Sequence, residues 1–152
     1  MNTLWSRVDA RFSAVLLGGL LAGTVLLSAP AAAQPPLPAG EYVFDVVQKP
    51  PFKALWRKMA ASGPKLRWVT EASGPTSPTR LVRIDGQDYL AESFCQPHNC
   101  PNTFFFVINR QAAYGYHVDM NNDHVKTRFY GRPPQAVKQF LQQEYQQSFS
   151  RQ

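Results

Sequence analysis

The sequence predicts an α+β fold, in which an antiparallel sheet of four to five strands is flanked by one helix before it and one after it. Strand-like alternation and runs of aromatic or β-branched residues fill positions 81–130, whereas apolar residues at helical spacing appear on either side. No alternation of strands with helices suggests a parallel nucleotide-binding sheet. The 152 residues, 44% of them hydrophobic, suffice for a single domain with a core despite a formal net charge of +6.

The first 33 residues have the pattern of a secretory signal peptide. Arg7 and Arg11 form a basic start, residues 12–27 are uncharged and largely apolar, and residues 31–33 are small alanines that favour cleavage. The apolar run is about 16 residues, whereas a spanning helix needs roughly 20, so a retained membrane anchor is only the alternative. We expect cleavage before Gln34, and therefore a periplasmic protein without a membrane segment.

A proline-rich stretch and a helix open the mature chain. Residues 34–41 have no core-forming pattern, so we expect an extended, flexible leader to a domain of residues 42–152. After two prolines, a helix over residues 51–61 is predicted, because apolar side chains recur at helical spacing at Phe52, Leu55, Trp56 and Met59. The Ser-Gly-Pro sequence that follows is a typical helix end.

Six basic residues and no acidic ones lie in the segment around this helix, namely Lys49, Lys53, Arg57, Lys58, Lys65 and Arg67. A solvated helix face explains such a segment most simply. The alternative is an anion-binding patch, which would make the protein a basic periplasmic module for an anionic polymer.

The first two strands are predicted as a hairpin over residues 81–84 and 87–94. Asp85 and Gly86 lie between them, and this pair readily adopts the positive φ angles of a type I′ turn. Residues 103–108 read Thr-Phe-Phe-Phe-Val-Ile, an almost continuous apolar run that is typical of a central strand buried on both faces.

Two further strands and a second helix complete the predicted domain. The strands are predicted over residues 112–118 and 124–130. A C-terminal helix follows a Gly-Arg-Pro-Pro break, because apolar residues then keep helical spacing at Ala136, Val137, Phe140, Leu141 and Tyr145. A helix before the sheet and a helix after it can bury one sheet face.

Common catalytic motifs do not appear in the sequence. There is no Gly-x-Ser-x-Gly, phosphate-binding loop, dinucleotide fingerprint or His-Glu-x-x-His. We therefore expect a protein that is not an enzyme and that uses no cofactor and no nucleic acid.

The two cysteines, Cys95 and Cys100, are expected to form a disulfide, since exported thiols pair when geometry allows. The bridge would close a six-residue ring, which contributes only about 2 kcal/mol and mainly adds local rigidity. Together with His98 the cysteines offer three donors, whereas a structural zinc site needs four. Their spacing also differs from the Cys-x-x-Cys of thiol oxidoreductases, so we expect neither a metal site nor a redox site.

The three histidines are expected to differ in role. His117 and His124 lie within or beside predicted strands, where a partly buried, hydrogen-bonded structural histidine is expected. His98 lies near the apex of a ring that Pro97 stiffens, in a loop that adds nothing to a core. From the residues alone, both a functional His98 and an exposed histidine in a merely structural ring remain open.

The ring and its surroundings resemble the Ivy family, the periplasmic inhibitors of vertebrate lysozyme. The family's Cys-Lys-Pro-His-Asp-Cys loop is similar to the sequence Cys95-Gln96-Pro97-His98-Asn99-Cys100. A preceding helix, a Trp-Val pair like Trp68-Val69 and a glycine-containing hairpin occur in the same order, so the resemblance spans residues 50–145. It implies an antiparallel sheet with flanking helices, a protruding disulfide-closed loop and often a homodimer.

The resemblance also implies a mechanism, in which His98 enters the lysozyme cleft and hydrogen-bonds the two catalytic carboxylates. Gln96 and Asn99 replace the family's lysine and aspartate, so the loop lacks both charges. Animal C-type lysozymes are generally basic, and the mature chain itself keeps a formal charge of about +5. The expected partner is therefore C-type lysozyme or another muramidase, including a bacterial lytic transglycosylase.

Overall fold

The computed structural model describes residues 35–121 and 124–149. These residues contain a five-stranded antiparallel sheet. The strands follow one another in the order β1-β2-β3-β4-β5, and each pairs with the next. They are β1 (Arg80–Ile84), β2 (Gln87–Gln96), β3 (Asn99–Ile108), β4 (Ala113–Asp119) and β5 (Lys126–Tyr130). The predicted sheet is confirmed, with β3 at its centre. The predicted signal peptide lies outside the described residues.

Helices precede and follow the sheet, namely α1 (Val43–Val46), α2 (Phe52–Ala60), α3 (Arg67–Thr70) and α4 (Gln135–Phe149). The two predicted helices are confirmed as α2 and α4. The sequence did not predict α1 and α3, because four residues form little more than one turn and show no helical period. Within the described residues, no helix has the length and apolar character needed to cross a membrane.

The centre of β3 is buried on both sides, since the side chains from Phe104 to Ile108 expose 2% or less of their surface. Successive side chains of a strand point to opposite faces. Phe104 and Phe106 therefore join a cluster with α2, whereas Phe105 and Val107 join a cluster with α4. The buried central strand is confirmed. The sequence suggested that the two helices bury one face of the sheet. In the structure they cover opposite faces.

Trp56 is the central side chain of the α2 face and exposes 1% of its surface. Its indole N–H donates a hydrogen bond to the Val69 carbonyl at 3.0 Å. Its ring meets Phe106 nearly edge-on, with centroids 5.3 Å apart. Because a buried indole N–H needs an acceptor, this bond fixes α2 against α3 while the ring fixes it against the sheet.

The turn between β1 and β2 confirms the chemistry that its sequence predicts. Asp85 has φ 48 and Gly86 has φ 76, so both central residues are left-handed, as a type I′ turn requires. This turn lies at the end of the sheet where β2 begins, opposite the end where β2 passes into β3.

The proline-rich leader contacts the domain from residue 35 onwards, although its sequence shows no core-forming pattern. Leu37 packs against the α2 cluster. The Arg110 guanidinium donates hydrogen bonds to the carbonyls of Pro35 and Pro36 at 2.8 and 2.9 Å. A proline-rich backbone leaves its carbonyls free for such donors. Residues 35–37 of the leader therefore contact the domain, and the flexibility expected of residues 34–41 stays a prediction.

Candidate functional site

The end of the β2–β3 hairpin, residues 95–100, contains the predicted site and is called the hairpin tip below. β2 runs to Gln96, β3 begins at Asn99, and these two residues are paired. Only Pro97 and His98 remain to form the turn. The predicted loop is therefore the closed end of a hairpin, so its backbone continues the geometry of the sheet.

A disulfide closes the hairpin tip, as predicted. Cys95 and Cys100 are bonded, with their Cα atoms 4.7 Å apart. The ladder is irregular here, because Cys95 pairs with Thr103 while the next residue of β2 pairs with Asn99. Residues 100–102 therefore bulge from β3. The disulfide thus joins the strands where backbone pairing is interrupted.

His98 lies at the apex with φ 62, in the left-handed region. The ring of Pro97 fixes the preceding φ near −65°, and a negative φ followed by a positive one is the type II turn pattern. Among residues other than glycine, histidine is one of the few that adopt this region with some frequency. The His98 side chain is exposed. A turn with few alternative backbone states therefore presents the imidazole to solvent.

The two departures from the Ivy loop, Gln96 and Asn99, contact each other. The Asn99 side-chain amide donates a hydrogen bond to Gln96 Oε1 at 3.2 Å. In place of the lysine and aspartate of the family loop, this hairpin has two amides that form a polar link across it. Sequence reasoning missed this link because it considered each substitution alone. The sequence did contain a signal for it, because two amide side chains on either side of a two-residue turn can form a hydrogen bond with each other.

A strap formed by residues 74–76 supports the β2 side of the hairpin tip. Thr76 Oγ1 donates to the Ser93 carbonyl at 2.8 Å, and the Cys95 N–H donates to the carbonyl of the strap's proline at 3.3 Å. Gly74 approaches so closely that a Cβ atom there would lie 2.0 Å from the Cys95 carbonyl oxygen. The strap therefore fits only with glycine at this position.

His117 supports the other side of the tip's base. Its Nε2 atom lies 3.1 Å from Asn102 Oδ1, and its ring lies against Trp68 with centroids 5.8 Å apart. Burial lowers the pKa of His117, while the charge of Asp119 partly opposes this effect. A neutral ring that donates from Nε2 fits this environment. The expected half-buried, hydrogen-bonded histidine is confirmed.

His124 does not match its expectation. It is exposed instead of partly buried. The reason is that β5 begins only at Lys126, so His124 precedes the strand that the sequence predicted over residues 124–130. An exposed histidine outside the hairpin tip provides a matched control for His98.

The basic segment around α2 does not form one uniform surface. Its first and last members are in ion pairs, Lys49 with Glu41 and Arg67 with Glu71, the latter at 2.8 Å. These pairs are largely exposed, so they contribute little to stability. The other four basic residues lie along α2 or shortly after it, namely Lys53, Arg57, Lys58 and Lys65. A solvated helix face accounts for most of the segment.

The metal donors considered from the sequence are not available as a set. Cys95 and Cys100 are bonded to each other, so neither sulfur is a thiolate ligand, and only His98 remains. Over residues 35–121 and 124–149, no group of three His, Cys, Asp or Glu side chains is arranged to hold a metal ion.

Comparison with known proteins identifies the family of this chain. The family model described as "Inhibitor of vertebrate lysozyme (Ivy)" matches residues 51–147. The chain belongs to the Ivy family. The matched part includes the whole sheet, α2 and the hairpin tip, so the Ivy resemblance of the loop is part of a match that covers most of the domain.

Three known proteins match this chain over most of their length. One from Pseudomonas aeruginosa, named inhibitor of vertebrate lysozyme, is 32% identical over 145 residues, which cover 85% of this chain and 91% of that protein. An uncharacterised protein of Yersinia pestis is 24% identical over 138 residues, or 82% and 90% of the two chains. A second, uncharacterised P. aeruginosa protein is 25% identical over 144 residues, or 85% and 91%.

Proposed function

We propose that this Ivy-family protein is an exported inhibitor of C-type lysozyme, and that its hairpin tip blocks the active-site cleft of the enzyme. One observation carries the proposal. An exposed His98 lies at the apex of a disulfide-closed turn, in a chain that is 32% identical to a protein named inhibitor of vertebrate lysozyme. The hairpin tip comprises the residues that would enter the cleft, and His98 would make the central contact.

The shape of the sheet supports insertion into a cleft. β1 begins at Arg80, which pairs with Ala91 of β2. Residues 92–96 of β2, which lead to the tip, therefore have no partner in β1. The ladder of β4 with β3 begins at Asn102, and one further backbone hydrogen bond runs from the Met120 N–H to the Pro101 carbonyl. The hairpin tip therefore extends beyond both neighbouring strands. A narrow projection of this kind, supported on its β2 side by the strap of residues 74–76, fits a concave site better than a flat surface.

The chemistry of His98 suits a pair of catalytic carboxyl groups. A retaining glycosidase keeps these groups about 5 to 5.5 Å apart, with one protonated and one ionised. Neutral imidazole has one nitrogen that donates and one that accepts a hydrogen bond. A single His98 ring can therefore accept from the protonated acid and donate to the carboxylate, which occupies both groups that the reaction requires.

The supports of the hairpin tip favour affinity by lowering the cost of ordering. A mobile loop loses conformational freedom on binding, and each immobilised side chain costs about 0.5–1.5 kcal/mol. Here the disulfide, the Gln96–Asn99 bond and the strap of residues 74–76 hold the backbone before a partner arrives. Because little ordering is then needed on binding, most of the interaction energy of His98 contributes to the affinity.

The positive charge of the chain is expected to limit how fast it associates with a basic lysozyme. Gln96 and Asn99 form a neutral pair beside His98, and the chain carries a formal charge of +6 including its first 33 residues. A basic lysozyme would therefore be approached against long-range repulsion, which slows association at low salt. A less basic muramidase, such as a bacterial lytic transglycosylase, is the alternative target.

The experiment compares inhibition of a C-type lysozyme and of a lytic transglycosylase by the mature protein and its variants. His98→Ala and His98→Asn remove the imidazole, and asparagine also tolerates the left-handed backbone. Loss of a hot-spot contact of about 2–4 kcal/mol weakens inhibition about 30- to 900-fold. His124→Ala is the matched control, because this histidine is exposed and lies outside the hairpin tip.

Each outcome decides between defined alternatives. If both His98 variants inhibit every susceptible enzyme as well as wild type does, the insertion mechanism is wrong. Inhibition of the lytic transglycosylase alone would identify the alternative target. Binding that survives loss of His98 and weakens steeply with salt would instead indicate an anionic polymer as the partner.

Export and oligomeric state are further parts of the proposal. Cleavage before Gln34 would release the mature domain into the periplasm, and mass spectrometry of the periplasmic protein would give its first residue. A homodimer is expected from the family resemblance. Light scattering of the mature protein, alone and with lysozyme, would measure its mass and the stoichiometry of the complex.

A further inference from the structure

A cleft of about 530 Å³ lies at the end of the sheet opposite the hairpin tip. It is bounded by the last turn of α2, the connection from β3 to β4 and the residues after β5. The register places it there, because Ile108 pairs with Ala113 and Gly115 pairs with Tyr130 at that end. The cleft is therefore separate from the proposed lysozyme-binding surface.

The charged side chains of this cleft are both positive. Lys58 and Arg132 line it, and no acidic side chain among the described residues does. Neither cation takes part in the ion pairs of the described part of the chain. A second cationic cleft, beside α3, differs because Glu71 lines it and is paired with Arg67. The Lys58–Arg132 cleft has no such internal counter-ion.

Arg132 is held in an unfavourable backbone conformation. Its φ is 54, directly after Gly131 with φ 80. Close packing imposes this path, because a Cβ on Gly131 would lie 2.5 Å from the Ala113 carbonyl oxygen. The Gly131 N–H also donates to Ser62 Oγ at 2.7 Å, which attaches the segment to the end of α2. Such conformations in residues other than glycine are concentrated at binding sites.

Two different elements bring the charges together. Lys58 by itself would not indicate a binding site, since cations are favoured in the last turn of a helix such as α2. Arg132 comes from the connection between β5 and α4, and it adds a second positive charge to the same cleft. An anion in this cleft would be attracted by both cations at once.

We propose that the Lys58–Arg132 cleft binds a carboxylate or phosphate group carried on a larger uncharged body. Lys58 and Arg132 would contact the anion, since charge-assisted hydrogen bonds to carboxylate and phosphate are the strongest that these side chains form. Apolar lining from Leu55, Met59 and Ala113 would contact the uncharged body. Binding at this cleft does not rest on lysozyme inhibition, because the hairpin tip lies at the other end of the sheet.

The experiment titrates the isotope-labelled mature protein with three compounds and follows the amide signals of Gly131 and Ala113 by NMR. N-acetylmuramic acid presents a carboxylate on a sugar, inorganic phosphate presents the phosphate alone, and N-acetylglucosamine is the matched sugar without the carboxylate. We expect saturable shifts with at least one of the two anions and none with N-acetylglucosamine. The anion that gives saturable shifts shows whether the cleft binds a carboxylate or a phosphate.

Matched variants test whether the cleft itself binds. Lys58→Gln and Arg132→Asn each weaken anion binding about tenfold, and asparagine tolerates the left-handed backbone of position 132. Arg128→Gln removes an exposed arginine of β5 that does not line the cleft, and it leaves binding within about twofold. The amide spectrum of each variant reports whether the fold is retained.

Two results would overturn the proposal. One is the absence of saturable shifts with either anion at millimolar concentration. The other is an equal loss of binding in Lys58→Gln and Arg128→Gln, which would indicate general attraction to a basic surface. Inhibition of lysozyme is measured separately in Lys58→Gln and is expected to match wild type. A failed inhibition assay would count against the proposed function and leave the titration result unaffected.

Discussion

Gly74 sets how tightly the strap of residues 74–76 holds the hairpin tip. An alanine at this position would place its Cβ 2.0 Å from the Cys95 carbonyl oxygen and 3.6 Å from Pro97 Cδ. The first contact is with backbone, so no side-chain rotation relieves it. Gly74→Ala therefore forces either the strap or the end of β2 to move, and both outcomes loosen the support of His98.

The expected cost of Gly74→Ala has two parts. Gly74 has φ 147, a conformation that side-chain-bearing residues rarely adopt, and such backbone strain costs about 1–3 kcal/mol. Overpacking at a rigid contact typically adds about 1–3 kcal/mol. We expect the free energy of unfolding to fall by about 2–6 kcal/mol, the sum of the two parts. Inhibition should also weaken about tenfold or more, because the tip must then be ordered on binding.

Gly86→Ala is the matched control. Gly86 also has a positive φ of 76, but a Cβ there would have no neighbour within 4 Å, and the turn lies at the opposite end of the sheet. It should cost only the left-handed backbone term of about 1–2 kcal/mol and leave inhibition unchanged. Urea unfolding measures stability, and lysozyme inhibition is compared at a temperature where both variants are folded.

Equal stability losses in the two glycine variants, together with wild-type inhibition by both, would show that the strap does not hold the hairpin tip. A loss of stability in Gly74→Ala without any loss of inhibition would retain the steric account and refute the link between tip rigidity and affinity.

Three further changes test other parts of the structure. Replacing Cys95 and Cys100 by alanine should lower the free energy of unfolding by about 2 kcal/mol, the closure entropy of a six-residue ring, and leave the far-UV circular dichroism spectrum intact; a lost spectrum would mean that the bridge holds more than the tip. Because burial lowers the pKa of His117, the unfolded chain binds more protons than the folded one once the pH falls below about 6.5. Stability should therefore decrease from pH 7.5 to pH 5 in urea unfolding, and an identical decrease in His117→Gln would refute that assignment. Asn99→Asp should strengthen inhibition of a basic lysozyme several-fold at low salt, since it adds a negative charge beside the contact; an inhibition constant that does not change with this substitution would contradict the electrostatic account.

Local patterns in the sequence predicted most of the elements. The apolar run of β3, the Asp85-Gly86 turn and the helical spacing in α2 and α4 each depend on residues within a few positions of one another. The candidate site was predictable for the same reason, because both cysteines and His98 lie within six consecutive residues. Strand ends were less accurate. β5 begins at Lys126, so His124 is exposed although its neighbourhood alternates like a strand.

The class of the fold, the covalent ring and the histidine at its apex were predictable without tertiary information, because they follow from periodicity and from chemistry between near neighbours. Tertiary packing places α2 and α4 on opposite faces of the sheet and brings Gly74 against Cys95, 21 positions away. The same packing brings Lys58 and Arg132 to one cleft. These contacts join segments far apart in the chain, and their partners are selected by the packing of the whole core, which no local pattern encodes.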